Sequence, residues 1–225
     1  MLRREEFLDY LRSHNIRVFD LTFASKIMNK PLKYASSRLS AMNGVIRIER
    51  GKYYVSDASI YEIATGIISP SYVSLLSAYS FHRLTTQIPI EIQVVCPLQH
   101  ASISVGGYSI RYIKIPGNRI FGFSRLDGGM IADQEKAIVD SLYLDSFIEE
   151  TKDVLLENKG SLDENKLINL AVRMESRATV NKLGFLMDKY GYSTGSLSPI
   201  KSGRYVMLGK NGHQRDRKWR VMFAD

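Results

Sequence analysis

The sequence predicts an α+β protein in which an N-terminal winged helix-turn-helix domain precedes a mixed α+β C-terminal domain. Within residues 1–56, three segments with helical periodicity are followed by a hairpin pattern. Residues 57–225 combine alternating apolar segments with further helical patterns. Positive charge separates the two parts, because residues 1–56 hold eleven Lys and Arg against five Asp and Glu, a net charge of +6. We therefore predict one domain at residues 1–56 and a second at residues 57–225.

The first three elements are predicted from local patterns. Residues 2–14 carry apolar side chains at helical spacing and predict the first helix. After a short extended piece, Thr22 is expected to cap a second helix that ends at Asn29. Pro31 suits the first turn of a third helix at residues 31–42, because its missing N–H would be unpaired there.

The hairpin completes the N-terminal pattern. Residues 45–56 alternate in polarity, and Arg50-Gly51 supplies the turn. In a winged helix-turn-helix, the third helix enters the major groove and the hairpin, or wing, contacts the DNA backbone. The side chains predicted to bind DNA are basic or hydroxyl-bearing, namely Lys30, Lys33, Tyr34, Ser36, Ser37, Arg38, Arg47, Arg50 and Lys52. The alternative is a winged helix that contacts only proteins and leaves these charges in solvent.

The remaining residues predict both helices and strands. Helices are expected at residues 61–66 and 69–84, from Asp133 onward, at 145–158 and, as one long helix, at 163–190. A small antiparallel sheet is expected from residues 90–95, 102–105, 108–115 and 119–126, with two further strands at 203–209 and 218–223.

Several segments, taken in order, resemble the AbiEi family, the antitoxin and transcriptional-regulator half of the AbiE abortive-infection systems. The resemblance covers nearly the whole chain and rests on residues 45–55 (VIRIERGKYYV), 72–79 (YVSLLSAY), 84–89 (LTTQIP), 121–123 (FGF), 131–137 (IADQEKA) with Asp140, and 181–186 (NKLGFL). The chain departs from the family pattern at Lys182, where a lysine-arginine or arginine pair is expected, and at residues 81–83, which replace a glycine-bearing turn.

The resemblance implies a function for each part of the chain. The N-terminal domain would bind double-stranded operator DNA and repress its own operon, and the C-terminal domain would neutralise a neighbouring nucleotidyltransferase-like toxin. Direct contact with the toxin is not implied, because family antitoxins are regarded as acting without a stable complex.

The sequence does not predict a catalytic centre, a metal site or a cofactor. His14, His82, His100, His213 and Cys96 are too scattered for a zinc site. Cys96 and His100 lie four residues apart, but a buried thiol and a surface imidazole explain them better than a nucleophilic pair. The sequence also lacks the glycine-rich phosphate-binding and dinucleotide-binding patterns.

Two other function classes stay open. In the first, Asp127, Asp133, Glu135, Lys136 and Asp140 hold Mg²⁺ in a nuclease. A structural role is favoured, with Asp133 as a helix cap, Glu135 near the positive end of the helix dipole, and Lys136 with Asp140 as a surface i, i+4 pair. In the second, the protein is an interaction module that binds the toxin directly.

A second basic surface is a candidate in the C-terminal part. It would comprise Arg173, Arg177, Lys182, Arg215, Arg217 and Lys218, and the alternative is that these charges are simply solvated. Trp219, within the basic C-terminal stretch, would either stack on nucleic acid or pack inward.

The sequence favours a cytoplasmic location. It has one cysteine, no apolar run of 18 residues, and no apolar stretch behind the N-terminal charges, so we expect neither secretion nor a membrane span. The net charge of +8 favours a polyanionic partner, and a homodimer is compatible with the sequence.

Overall fold

The chain folds into helices and strands in a computed structural model that describes residues 4–195, 197, 204–210 and 212–224. The helices are α1 Arg4–Ser13, α2 Leu21–Met28, α3 Leu32–Ser40, α4 Ile60–Gly66, α5 Leu75–Phe81, α6 Gln134–Leu144, α7 Ile148–Glu157, α8 Glu164–Arg173 and α9 Arg177–Tyr190. The strands are β1 Val18–Asp20, β2 Val45–Glu49, β3 Lys52–Val55, β4 Tyr72–Val73, β5 Glu91–Cys96, β6 Ile103–Val105, β7 Tyr108–Lys114, β8 Phe123–Leu126, β9 Gly129–Ala132, β10 Val206–Leu208, β11 Gln214–Asp216 and β12 Val221–Phe223. The α+β class is confirmed.

Residues 4–55, called here the N-terminal segment, have the order α1, β1, α2, α3, β2, β3. The hairpin turns at Gly51, whose φ of +80° favours glycine. Strand β1 pairs with β3, so the sheet has three antiparallel strands in the order β1-β3-β2 and not two. Asp20, not Thr22, caps α2, because its carboxylate accepts from the Phe23 N–H at 2.7 Å.

The N-terminal segment encloses its own cluster of buried side chains. Phe19 lies at its centre, with ring centroids 5.7 Å from Phe7 and 5.9 Å from Tyr53. Leu39 of α3 and Leu11 of α1 complete the contacts and are almost completely buried. Burial of these apolar surfaces holds three helices against the sheet.

Residues 60–224, called here the body, contain a six-stranded sheet in the order β6-β7-β5-β4-β9-β8. The prediction of an antiparallel sheet was wrong in part, because β5 pairs with β7, and β4 with β9, in parallel. The predicted helix at residues 69–84 begins only at Leu75. Tyr72 and Val73 are instead fully buried in a central strand. A short run of apolar residues in the sequence is compatible with either a buried strand or a buried helix, which explains the error.

Helix α6 lies at the centre of the helical part and contacts α5, α7, α8 and α9. The long helix predicted at residues 163–190 is two helices, α8 and α9. Glu175 adopts φ +50° between them, and the Ser176 hydroxyl accepts from the Thr179 N–H at 3.3 Å to begin α9. A new N-cap therefore interrupts an otherwise continuous helical pattern.

The C-terminal strands form a separate sheet in the order β10-β12-β11. Of the first predicted strand, Gly203 lies outside the described residues, and β10 begins at Val206. Every helix within the described ranges is too short or too polar to cross a lipid bilayer.

The N-terminal segment packs directly on α4 of the body. A Cβ atom at Gly66 would lie 2.5 Å from the Cβ of Val18, so only glycine permits this approach. Arg17 donates to Asp57 at 2.9 Å, and the Lys52 ammonium donates to the carbonyl of Ile67. Residues 56–59 connect the two parts.

Candidate nucleic-acid interface

Helices α2 and α3 are joined by a tight turn that leaves one face of α3 exposed. Asn29 ends α2 in the left-handed conformation, and Pro31 is the N-cap of α3. Ala35 and Leu39 are buried against the N-terminal core, four residues apart on one face of the helix. Lys33, Tyr34 and Ser37 are therefore presented to solvent, as the sequence predicted, and Ser36 and Arg38 are half-buried.

Helix α3 and the hairpin border one groove. Ser36 of α3 lines it together with Arg47, Arg50 and Lys52 of the hairpin, and Asp20 and Leu21, where β1 meets α2, also line it. Arg47 and Arg50 are exposed, and the Arg47 Nε donates to the carbonyl of Glu49 at 3.0 Å. The structure thus brings residues distant in sequence to a single basic depression.

The cations at the groove and along α3 have no acidic partners in the described part of the chain. Among the residues described, no carboxylate lies within 4 Å of the cationic groups of Lys30, Lys33, Arg38, Arg47 or Arg50. Asp20 is engaged as the cap of α2, and Glu49 lies 3.3 Å from His100 Nε2. The positive charge is therefore available to an anion.

Lys52 differs from the other predicted DNA-binding residues. It is half-buried, and its ammonium donates to the carbonyl of Ile67 at the end of α4. The residue lines the groove beside Arg47 and Arg50, but its ammonium joins the hairpin to the body. The sequence carried no signal of this contact, because it joins positions that only folding brings together.

The candidate basic surface of the body is only partly exposed. The prediction was wrong for Lys182, which is buried and donates to Asp145 at 2.7 Å and to the carbonyl of Leu142 at 3.3 Å. Lys218 is exposed but lies 2.5 Å from Asp188. The exposed members without such a carboxylate partner among the described residues are Arg173, Arg177, Arg215 and Arg217.

Trp219 packs inward, which is one of its two predicted roles, and it does not present its ring for stacking on nucleic acid. Its side chain is 1% exposed and its Nε1 donates to Asp188. A Cβ atom at Gly184 would lie 2.3 Å from the indole ring, so the glycine provides the space. Trp219 therefore anchors the C-terminal sheet to α9 and is not available for stacking on a base.

Lys136 and Asp140 form a buried pair, so the predicted surface pair was wrong. Both side chains are 0% exposed, and the Lys136 ammonium donates to Asp140 and, at 2.8 Å, to the Tyr72 hydroxyl. The Asp140 carboxylate also accepts from Tyr72 at 3.0 Å and Ser74 at 2.8 Å. The i, i+4 spacing is compatible with an exposed or a buried pair. Here the pair is buried because α6 is surrounded by four other helices.

Burial shifts the pKa values of Lys136 and Tyr72. It lowers the pKa of the Lys136 ammonium, against the opposing effect of Asp140. Burial, reinforced by Asp140, raises the pKa of the Tyr72 hydroxyl well above its ordinary value. Every polar group of the cluster has a protein partner, which is the arrangement of a structural network.

The other carboxylates of the nuclease hypothesis do not converge on a metal site. Lys166 lies 3.2 Å from Asp133 and 3.0 Å from Glu135, and Glu135 also accepts from the Asp163 N–H at 3.1 Å. Asp127 lies in the exposed turn between β8 and β9. Over the described ranges, no three His, Cys, Asp or Glu residues are clustered in a way that could hold a metal ion.

Cys96 and His100 do not form a nucleophilic pair. Cys96 is buried and its thiol donates to the carbonyl of Leu98 at 3.0 Å. Burial raises the pKa of this thiol. His100 stacks edge-on against Tyr112 and faces Glu49 of the hairpin, so it contributes to the contact between segment and body.

Comparisons with known proteins bear on the fold. No protein-family model matches the sequence, and no curated protein sequence matches it. The chain is similar in structure to the crystal structure of the RV2827C protein from Mycobacterium tuberculosis, with a TM-score of 0.57 and 11% sequence identity. The match covers 96% of this chain and 89% of that chain. At this identity the similarity shows a shared fold.

Proposed function

We propose that the protein is a DNA-binding transcriptional repressor whose N-terminal segment is a winged helix-turn-helix, and that it acts as an antitoxin of the AbiEi type. The basic groove between α3 and the hairpin carries the proposal, since Ser36, Arg47 and Arg50 border it. Helix α3 would read operator bases, and the hairpin would contact phosphates. Catalysis is not part of this function.

The order of elements supports this interpretation. The turn between α2 and α3, followed by a hairpin, is the arrangement in which a helix enters the major groove beside a wing. Lys33 and Arg38 are the cationic side chains of α3 that could reach base edges or phosphates. Arg50, at the exposed hairpin tip, would contact a phosphate.

The test measures binding of the full chain to its own upstream DNA and to a scrambled duplex by fluorescence anisotropy, over a salt series with and without Mg²⁺. The expected result is selective binding that weakens steeply with salt and leaves the DNA intact. Equal affinity for both duplexes would reject the repressor. Lys114→Ala is the control, because it removes one exposed cation of the body and should leave binding unchanged.

The antitoxin half needs its own test, because it does not depend on operator binding. Coexpression with the product of the neighbouring gene should restore growth that this product alone arrests. Continued arrest would reject the antitoxin function. Co-purification of the two proteins would show direct contact, and its absence would favour action without a complex.

A further inference from the structure

A cleft between the N-terminal segment and the body is not used by the proposed function. It has a volume of about 360 Å³, which is within the usual range for small-molecule sites. Ile16 and Val18 line it from the segment, and Phe123 and Met130 line it from the body. One face of the Phe123 ring stacks on Tyr72 at 4.8 Å, so this aromatic wall is held in place.

Two arginines and the Glu62 carboxylate also line this mainly apolar cleft. Arg17 and Arg125 both line it, and both also line an adjoining depression toward Asp57. Arg17 is neutralised, because it lies 2.9 Å from Asp57 and 3.9 Å from Glu62. Arg125 donates from Nε to the carbonyl of Gly128 at 3.2 Å, and among the described residues no carboxylate lies within 4 Å of it.

From this combination we infer that the cleft binds a small planar aromatic carboxylate. The guanidinium of Arg125 supplies parallel N–H donors that match a carboxylate. Phe123 and Met130 offer apolar surface for a flat ring. The Asn15 amide and the Ser69 hydroxyl, which also line the cleft, could donate further hydrogen bonds.

The position of the cleft gives such a ligand a regulatory role, an extension that rests on the proposed DNA binding. Val18 begins β1, which pairs with β3 of the hairpin, so a molecule wedged between Val18 and Phe123 contacts both parts at once. A ligand that prefers one arrangement of segment and body would change the affinity for DNA. Bound DNA would then change the affinity for the ligand by the same factor.

The binding test uses 1-naphthoate as the probe and 1-naphthalenemethanol as its uncharged counterpart, measured by calorimetry on the full chain. Naphthoate should bind at millimolar concentration or below, and the alcohol should bind more weakly. Arg125→Ala should weaken naphthoate binding about tenfold, the loss expected for one charge-assisted contact. Arg125→Lys should retain part of the affinity, and Arg111→Ala, an exposed arginine of β7, should retain all of it.

Absence of naphthoate binding, equal binding of the alcohol, or unchanged binding by Arg125→Ala would each overturn the inference. A thermal melt of each variant confirms that it is folded before titration. Repeating the DNA titration with naphthoate separates the two proposals. Selective DNA binding without a naphthoate site rejects only the ligand, and a naphthoate site in a chain that does not bind DNA rejects only the repressor.

Discussion

Arg50 at the hairpin tip and Lys136 in α6 carry the same charge in opposite surroundings. Arg50 is exposed and has no carboxylate partner among the described residues, whereas Lys136 is completely buried against Asp140. Two other lysines of the body are also paired with a carboxylate, Lys182 with Asp145 and Lys218 with Asp188. These three lysines stabilise contacts within the body, whereas the cations of α3 and the hairpin tip lack a carboxylate partner among the described residues and are available to an anion.

The largest expected effect is the loss of stability when the buried Lys136–Asp140 pair is broken. Asp140→Ala leaves the Lys136 ammonium without its counter-charge and removes the acceptor of Tyr72 and Ser74. We expect the free energy of unfolding to fall by about 3–5 kcal/mol, measured by urea denaturation.

Two controls sharpen this result. Lys136→Met combined with Asp140→Asn keeps an acceptor for both hydroxyls without burying a charge, so it should cost less than Asp140→Ala. Asp153→Ala removes an exposed carboxylate of α7 and should change stability by less than about 0.5 kcal/mol. A small effect of Asp140→Ala would show that the pair contributes little to stability.

The second effect is on DNA binding by Arg38 and Arg50, and replacing either residue should leave the free energy of unfolding nearly unchanged. Arg38→Ala should weaken binding to cognate DNA by about 1–3 kcal/mol and reduce discrimination against scrambled DNA. Arg50→Ala should instead weaken binding to both duplexes and lower the salt dependence by about one released ion. Anisotropy titrations measure both changes, and equal behaviour of the two variants would contradict the assigned division between base and phosphate contacts.

A third effect appears at acid pH. Burial alone would raise the pKa of Asp188, but hydrogen bonds from Lys218, Trp219 and Thr194 together lower it below its ordinary value of 3.8. The carboxylate therefore stabilises the fold above that pH, and this contribution is lost as pH falls below it. Asp188→Asn should cost about 1 kcal/mol at neutral pH and less at acid pH. Urea midpoints across the acid range test this, and a constant difference would contradict it.

The smallest effect lies at the contact between segment and body. Glu49 and His100 are partly exposed, and polar contacts between partly exposed groups contribute about 0–1 kcal/mol. Glu49→Gln should therefore change the melting temperature only slightly, measured by calorimetry. A loss as large as that of Asp140→Ala would mean that charge also holds the segment in place, and the contrast between the two regions would fail.

Elements governed by local rules were predicted well. Pro31 was predicted in the first turn of a helix at residues 31–42 and is instead the N-cap of α3, one residue before the helix, which ends at Ser40. Gly51 turns the hairpin as predicted, because its positive φ favours glycine without any tertiary contact. The exposure of Lys33 and Ser37 follows from helical spacing once the apolar face is known. The winged-helix interpretation itself stays a prediction.

The failures share a cause, which is that burial depends on distant residues. Tyr72 and Val73 became a strand because β5 and β9 lie on either side of them. Lys182 and Lys136 look like surface residues in sequence, and only the packing of α6 and α9 places them inside. No pattern within a few residues carries that information.

The short connection at residues 56–59, together with the contact between Val18 and Gly66, has a consequence for where the body acts. A long flexible tether would let the two parts diffuse over a large volume around each other. Here the body stays within a few ångströms of the N-terminal segment, so it accompanies that segment to whatever the segment binds. Any partner of the body that is produced or held at the same place would meet it at high local concentration, without new contacts between the proteins.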